Sequence, residues 1–269
     1  METPDALGII AGNGVYPLLL AQSARKAGMK KIVAAAFTGE TSAELAQAVD
    51  QIEWMRVGQL SCLLNFFRVT GIHHAIMAGQ IAPGNLFNLR PDWKALLLLA
   101  KLKRRNAESI FGAIADELNR EDVQLLPAFT FLDHLLAPAG LIAGPKLKRR
   151  EEADVAFGFE TAKQLSQLNV GQTVVVKNGT VLAVEAFEGT NEAIKRGGAL
   201  GRKDAVMVKV TKPNQDMRFD VPVVGTETIR IAAEARIRVI AVEAGKTLLL
   251  EKESLIDLAE RSRISLIAR

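Results

Sequence analysis

The N-terminal half of the chain alternates short apolar runs with longer amphipathic stretches. The runs ALGIIAG (6–12), KKIVAAAF (30–37), IEWMRV (52–57), HHAIMAGQI (73–81) and VQLLPAFTFL (123–132) read as strands. Between them, residues 15–28, 42–50, 59–70, 91–106 and 106–121 carry helical periodicity, with Pro17 in the first turn of one helix and Gly28 as its stop. Strands separated by helices of this length imply parallel βαβ units with helices on both faces of a sheet.

The rhythm changes after residue 136. Pro138, Gly140, Gly144 and Pro145, followed by a basic and an acidic run, mark 137–150 as a linker between a first domain (1–136) and a second (151–269). The second begins with a helical stretch. GQTVVVKNGTVLAVEAF then carries two β-rich runs around Asn178-Gly179, a hairpin signal. A capped helix at 189–198, a strand at 205–210 and a helix at 226–235 follow. Short strands at 237–242 and 246–250 and a helix at 252–263 complete a mixed α/β domain.

Composition narrows the function classes. The chain has 269 residues, 49% of them hydrophobic, enough for a substantial core. A net charge of +4 suits anionic substrates or an anionic membrane surface and is too weak to imply nucleic acid. Aromatics, at 5%, are too scarce for base-stacking platforms. Cys62 is the single cysteine, so no intramolecular disulfide forms, which fits a reducing cytoplasm; it reads as a small core residue. His73, His74 and His134 leave little for a zinc site. The start of the chain lacks the basic segment of a signal peptide, and no run of about 18 apolar residues spans a bilayer.

Several stretches carry candidate chemistry. In IIAGNGVYP a strand, a glycine turn and a helix follow one another, so Gly12, Asn13 and Gly14 offer backbone amides and a helix N-terminus to a phosphate. As a dinucleotide fingerprint the stretch is incomplete, since Pro17 takes the third glycine position and no acid ends the second strand. Gly79, Gln80 and Asn85 in MAGQIAPGNLF would line the same crevice at the carboxyl ends of the strands. The runs KLKRRN (101–106) and KLKRR (146–150) suit lipid headgroups. The first ends a helix bearing ALLLLA, which reads either as interfacial or, preferably for the helix itself, as buried with cations at its C-terminus. VEAFEGTNEAIKRGG places Glu185, Glu188, Thr190 and Asn191 at a strand exit, with Thr190 as a natural N-cap. Finally, KPNQDMRFDVPVVGTETI packs Lys212, Asp216, Arg218 and Asp220 ahead of an apolar strand. On an extended chain the two aspartates would stand about 13 Å apart, whereas a loop broken by Pro213 lets them converge. Magnesium takes one or two carboxylates and completes its shell with phosphate oxygens.

Taken together, GQTVVV, GTVLAVEAFEGTNEAI and VKVTKPNQDMRFDVPVVGTETI resemble the LpxI family of UDP-2,3-diacylglucosamine pyrophosphatases of lipid A synthesis, and GIIAGNGVYP and AGQI match that family's N-terminal pattern. The resemblance implies a Rossmann-like N-terminal domain, a linker and a C-terminal catalytic α/β domain. It implies hydrolysis of UDP-2,3-diacylglucosamine to 2,3-diacylglucosamine 1-phosphate and UMP with magnesium or manganese. The family's essential aspartate falls on Asp220, and Asn191 stands where the family usually has an acid.

Diphosphate hydrolysis needs charge neutralisation and an aligned water more than a covalent nucleophile. The resemblance makes Asp220 the expected catalytic residue, and this chemistry is consistent with it. Asp220, Asp216, Glu188 and Asn191 are the candidate metal ligands. Gly12, Asn13, Gly14, Gly79, Gln80, Gly189, Thr190, Lys209, Lys212 and Arg218 are the candidate substrate contacts. A cytoplasmic enzyme associated peripherally with the inner membrane follows, with a homodimer left open. Two alternatives stand beside it: a nicotinamide-dependent enzyme on the N-terminal sheet and a non-catalytic lipid-binding adaptor.

Overall fold

A computed structural model describes residues 5–81, 91–103, 107–213 and 215–269. Asn85 therefore lies outside the described residues. The chain forms two compact units. One comprises Met1–Asp133 with Asp216–Asp220, the other His134–Gln215 with Val221–Arg269.

The first unit is built on five parallel strands: β1 (Ala6–Ala11), β2 (Lys31–Phe37), β3 (Gln51–Met55), β4 (His74–Ala78) and β5 (Gln124–Leu125), in the order β3-β2-β1-β4-β5. The order reverses between β1 and β4, the switch point where open α/β sheets bind ligands. Helices α1 (Tyr16–Lys26) and α2 (Leu60–Thr70) follow β1 and β3. Gly8 faces α2: a Cβ there would meet Phe67 and Ile72 at 2.9 Å, so the absent side chain lets Phe67 pack directly on the strand. Alternation along β1 turns Leu7 and Ile9 to the opposite face. Cys62 packs against the same core as α2, and burial pushes its thiol pKa up, away from the reactive thiolate.

Three expected elements are shorter than their patterns imply. Residues 42–50 form only a 3₁₀ turn, Ala43–Gln47, because Asp50 is already tied to β2, its amide to the Ile32 carbonyl (2.8 Å) and its carboxylate to the Ile32 amide (2.7 Å). The 123–132 run pairs only at β5, since Pro127 has no N–H for the ladder and the chain turns through Thr130–Leu132. The 91–106 helix is α3 (Trp93–Lys101), capped by Asp92, which accepts from the Ala95 amide at 2.9 Å. It is not buried as expected: Ala95 and Leu98 are buried and Leu99 packs partly buried against the same core, while Trp93, Leu96 and Leu97 are exposed. Helix α4 (Ala107–Arg120) completes the described part of this unit.

The second unit holds a six-stranded mixed sheet. Its strands are β6 (Gly140–Ala143), β7 (Thr173–Lys177), β8 (Thr180–Val184), β9 (Ala205–Lys209), β11 (Ile237–Val242) and β13 (Ser265–Ala268), ordered β6-β13-β11-β9-β7-β8. Strands β9, β11 and β13 are parallel; β6, β7 and β8 run antiparallel to their neighbours. Residues 137–150, expected as a linker, thus supply an edge strand that pairs with the buried C-terminal β13. The β7–β8 hairpin turns at Asn178 and Gly179, with φ of 51° and 71°, and the buried Asp154 carboxylate accepts both turn amides at 2.8 Å. Helix α5 (Arg149–Gln167) lies on one face, where Gly158 meets Val208, and α6 (Thr190–Gly201) on the other, where Gly197 meets Val175. A two-stranded parallel ribbon of β10 (Val223–Val224) and β12 (Leu248–Leu249), with helices α7 (Thr226–Glu234) and α8 (Lys252–Arg261), completes it. Both ribbon strands are shorter than the apolar runs at 221–224 and 246–250 imply.

Candidate functional site

The Asp216–Asp220 segment is neither extended nor a loose loop. The Asp220 amide donates to the Asp216 carbonyl at 3.1 Å, closing a single helical turn. The aspartates are thus one turn apart on a folded segment rather than about 13 Å apart on an extended one. Two contacts fix the turn on the first unit: the Ala128 amide donates to the Met217 carbonyl at 2.7 Å, and Phe219 packs on Phe111 with ring centroids 5.7 Å apart. Within the turn, Arg218 forks onto Asp216, Nε to Oδ1 at 2.9 Å and Nη2 to Oδ2 at 2.6 Å. That hydrogen-bonded guanidinium holds the Asp216 carboxyl below its ordinary pKa, and Asp216 raises Arg218 in return. Arg218 also lines a cleft of about 400 Å³ with Asn119, Asp122, Gln124 and Leu125.

A second polar centre lies within the other unit, at the start of α6. Strand pairing builds it. The Glu185 amide donates to the Thr173 carbonyl at 2.8 Å, and Thr173 stands opposite Lys209 across β7 and β9. Residues directly opposite in antiparallel pairs share a face, so Glu185, Thr173 and Lys209 form one row. That face is the one α6 covers, because Val175, two residues from Thr173, packs on Gly197. Thr190 completes the row, but not as the cap its sequence suggests. Gly189, with φ of 86°, takes the N-cap position and makes no side-chain cap. Thr190 becomes the first helical residue, and its hydroxyl donates to Glu185 Oε1 and accepts from Lys209 Nζ, both at 2.7 Å. Two buried atoms of the row, Glu185 Oε2 and Thr173 Oγ1, have no hydrogen-bond partner among the described residues. An ammonium beside a helix N-terminus without a side-chain cap suits a phosphate, and the unpaired oxygens suit a water or a ligand donor.

The glycine turns have a different local cause. The Gly12 amide donates to the Ala78 carbonyl (2.8 Å) and the Asn13 amide to the Gln80 carbonyl (2.6 Å), clasping the β1 and β4 loops together. A Cβ on Gly12 would lie 2.5 Å from the Gln80 carbonyl oxygen, and one on Gly79 2.5 Å from that of Asn13. Close backbone approach therefore explains Gly12 and Gly79. It also spends two of the amides that a dinucleotide phosphate would need. Gly14, with φ of 89° and open space around it, keeps a turn that side chains rarely adopt.

The remaining candidates have defined surroundings. Glu188 is exposed and ion-paired with Arg196, and its carboxyl lies below its ordinary pKa, chiefly through a backbone amide hydrogen bond. Asn191 is the residue after Thr190 in the first turn of α6. The Lys212 amide donates to Gln215 Oε1 at 2.6 Å. Asp216, Arg218 and Asp220 belong to one unit; Glu188, Gly189, Thr190, Asn191, Lys209 and Lys212 belong to the other. Among the described residues no group of three or more His, Cys, Asp or Glu side chains gathers in a metal-binding arrangement. Sequence reasoning left Thr173 out and gave Lys163 and Glu243 no part. Lys163 of α5 donates to Glu243 Oε2 at 2.8 Å and to the Thr211 carbonyl at 2.8 Å, anchoring the chain as it leaves β9. Burial pushes the Glu243 carboxyl up, but the bonds from Lys163 and Thr211 exceed that effect and leave it below its ordinary pKa.

Comparisons with known proteins cover both units. A family model described as the LpxI N-terminal domain matches residues 6–135, and one described as the LpxI C-terminal domain matches 138–267. A Caulobacter vibrioides protein described as UDP-2,3-diacylglucosamine pyrophosphatase LpxI is 28% identical over 266 residues, 94% of each chain. Among solved structures, the biotin carboxylase subunit of pyruvate carboxylase is similar at a TM-score of 0.27 and 13% identity, over 68% of this chain and 38% of that one. The biotin carboxylase domain of Hydrogenobacter thermophilus 2-oxoglutarate carboxylase is similar at 0.28 and 10%, over 72% and 41%. Likeness at that level carries no argument about fold or function.

Proposed function

The chain belongs to the LpxI family, and from that premise we propose that it hydrolyses the diphosphate of UDP-2,3-diacylglucosamine, giving 2,3-diacylglucosamine 1-phosphate and UMP in lipid A biosynthesis. The observation that carries the reading is the match to the Caulobacter pyrophosphatase over 94% of both chains.

In this reading Asp220 is the catalytic carboxylate. It orients the attacking water or binds a divalent ion, and its place in a turn fixed by Met217 and Phe219 pre-organises it. Arg218, Lys209 and Lys212 balance phosphate charge, and Thr190 with the α6 N-terminus receives phosphoryl oxygen. The Gly12–Gly14 and Gly79–Gln80 loops, at the sheet's switch point, contact the substrate through groups other than the two clasped amides. The donor chemistry fits magnesium or manganese in part. Asp216 and Asp220 offer hard carboxylate oxygens one turn apart, and phosphate oxygens would complete the shell. Glu188 would have to release Arg196 to serve as a ligand, and Asn191 offers an amide oxygen where the family usually has an acid. A metal held there would polarise a phosphoryl oxygen.

A lipid substrate places the reaction at the cytoplasmic surface of the inner membrane, reached peripherally; among the described residues no helix is long and apolar enough to cross a membrane. Release of UMP from UDP-2,3-diacylglucosamine by the purified protein, assayed with magnesium and with chelator, tests the proposal. UMP formed only with metal supports it. The absence of UMP under every metal condition overturns it.

A further inference from the structure

We propose that the exposed face of α3 docks on a bilayer containing anionic phospholipid. Helix α3 is held firmly on its inner side. Ala95 and Leu98 enter the core with α2, and Lys94 pairs with Glu117 of α4 (3.5 Å) and with Glu121 just beyond its end (3.3 Å). Asp92 caps α3 and also accepts the Ser61 amide of α2 at 2.7 Å. A helix fixed in this way presents a set outer face, and that face is apolar. Trp93 is 74% exposed, Leu96 46% and Leu97 45%, with Ala100 exposed beyond them. Their spacing, i, i+3, i+4 and i+7, makes one continuous stripe. At the C-terminal end of the stripe Lys101 and Lys103 are exposed, with no ion-pair partner among the described residues.

An apolar stripe headed by tryptophan and ending in lysines is the arrangement of an interfacial helix: leucine enters the acyl boundary, tryptophan sits at headgroup level and lysine meets anionic phosphate. Charge selects the occupant. A second copy of the chain would bring together two molecules of net charge +4, whereas an anionic bilayer is complementary to both the lysines and the whole chain. The inference takes only its choice of a bilayer from the lipid-substrate reading; the face and its charge stand without it.

Vesicle co-sedimentation of the full chain tests this, with vesicles of phosphatidylcholine alone and of phosphatidylcholine with phosphatidylglycerol. The wild type is expected to partition onto the anionic vesicles, with a blue shift of Trp93 emission that Trp93→Phe abolishes and Trp54 does not replace. Leu96→Gln with Leu97→Gln is expected to lower partition about tenfold or more. Lys101→Glu with Lys103→Glu should lower it further at low salt than at high salt. Circular dichroism melts confirm that these exposed-face variants fold. Wild type that stays in solution, or double variants that partition like wild type, overturn the proposal. So does unchanged partition in a leucine variant that has instead lost a wild-type dimer in sedimentation velocity, because the face then belongs to a second copy. UMP release from detergent-dispersed substrate is measured in parallel. Vesicle binding without UMP release sinks the hydrolase reading alone, and UMP release without vesicle binding sinks the docking face alone.

Discussion

Replacing Thr190 by valine removes one hydroxyl from the α6 row and keeps its shape. The structure says what is lost: the bond to Glu185 Oε1 and the one from Lys209 Nζ, both 2.7 Å. Hydrogen bonds to ionised partners contribute about 1.5–3 kcal/mol each when well buried. These are part-buried, so a total of about 1–2 kcal/mol is expected, or roughly 2–8 °C in Tm. The loss does not end with the bonds. Glu185 would then hold a carboxylate with no hydrogen-bond partner among the described residues on either oxygen, and Lys209 would lose the group that aims it. If Lys209 balances phosphate charge, its misplacement costs about tenfold in kcat/KM, the equivalent of about 1.4 kcal/mol. Thr190→Ser keeps the hydroxyl and serves as the control. Urea denaturation and UMP release, measured on wild type and both variants, read stability and turnover separately. Serine and valine variants that match in both assays would refute the row as a working unit.

Other consequences follow from the same geometry. Gly12→Ala forces a Cβ against the Gln80 backbone and should destabilise by about 2–4 kcal/mol through overpacking and loss of the loop clasp, with no ligand needed; a urea midpoint equal to wild type would contradict the clasp. Gly14→Ala, with open space but positive φ, should cost less, about 1–2 kcal/mol, by the same assay. Asp216 and Glu243 both have folded pKa values below their ordinary 3.8 and 4.5. Each therefore stabilises fully above that ordinary value and loses its contribution as pH falls through the lower, folded one. The urea midpoint should hold from pH 7 to 5 and drop below pH 4, with a shallower drop in Asp216→Asn; a flat profile down to pH 3 would argue against both ion pairs.

How much of this was legible in the sequence depends on the range of the interactions. The N-terminal βα alternation and the Asn178-Gly179 hairpin are local: buried parallel strands read as apolar runs, and a two-residue turn needs positive φ. Strand β6 was not legible, because Gly140 and Pro145 look like linker residues until the C-terminal strand β13 supplies its partner. The exposed face of α3 was the less favoured of two readings for a related reason, since leucine runs do not say which side meets the core. At the site, the acidic and basic residues of 212–220 were visible, but their turn was not. Its closure depends on Ala128 and Phe111, far away in sequence. Thr190 looked like a cap because sequence rules weigh side-chain type, whereas Gly189 holds the position by its backbone angle. The Glu185–Thr173–Lys209 row needed the register of two antiparallel pairs. Its only sequence trace is parity, Thr173 and Lys209 falling in phase with the core residues Val175 and Met207.

The central claim is that Asp220 carries diphosphate hydrolysis. Asp220→Asn keeps the size of the side chain and removes its charge, and circular dichroism with the urea midpoint establishes that the variant is folded. The decisive measurement is UMP release from UDP-2,3-diacylglucosamine by this variant beside wild type, under saturating magnesium. The account predicts a fall on the order of 10²–10³ or more, the scale of losing a group that acts on the transition state. A folded Asp220→Asn protein that releases UMP at the wild-type rate would contradict it.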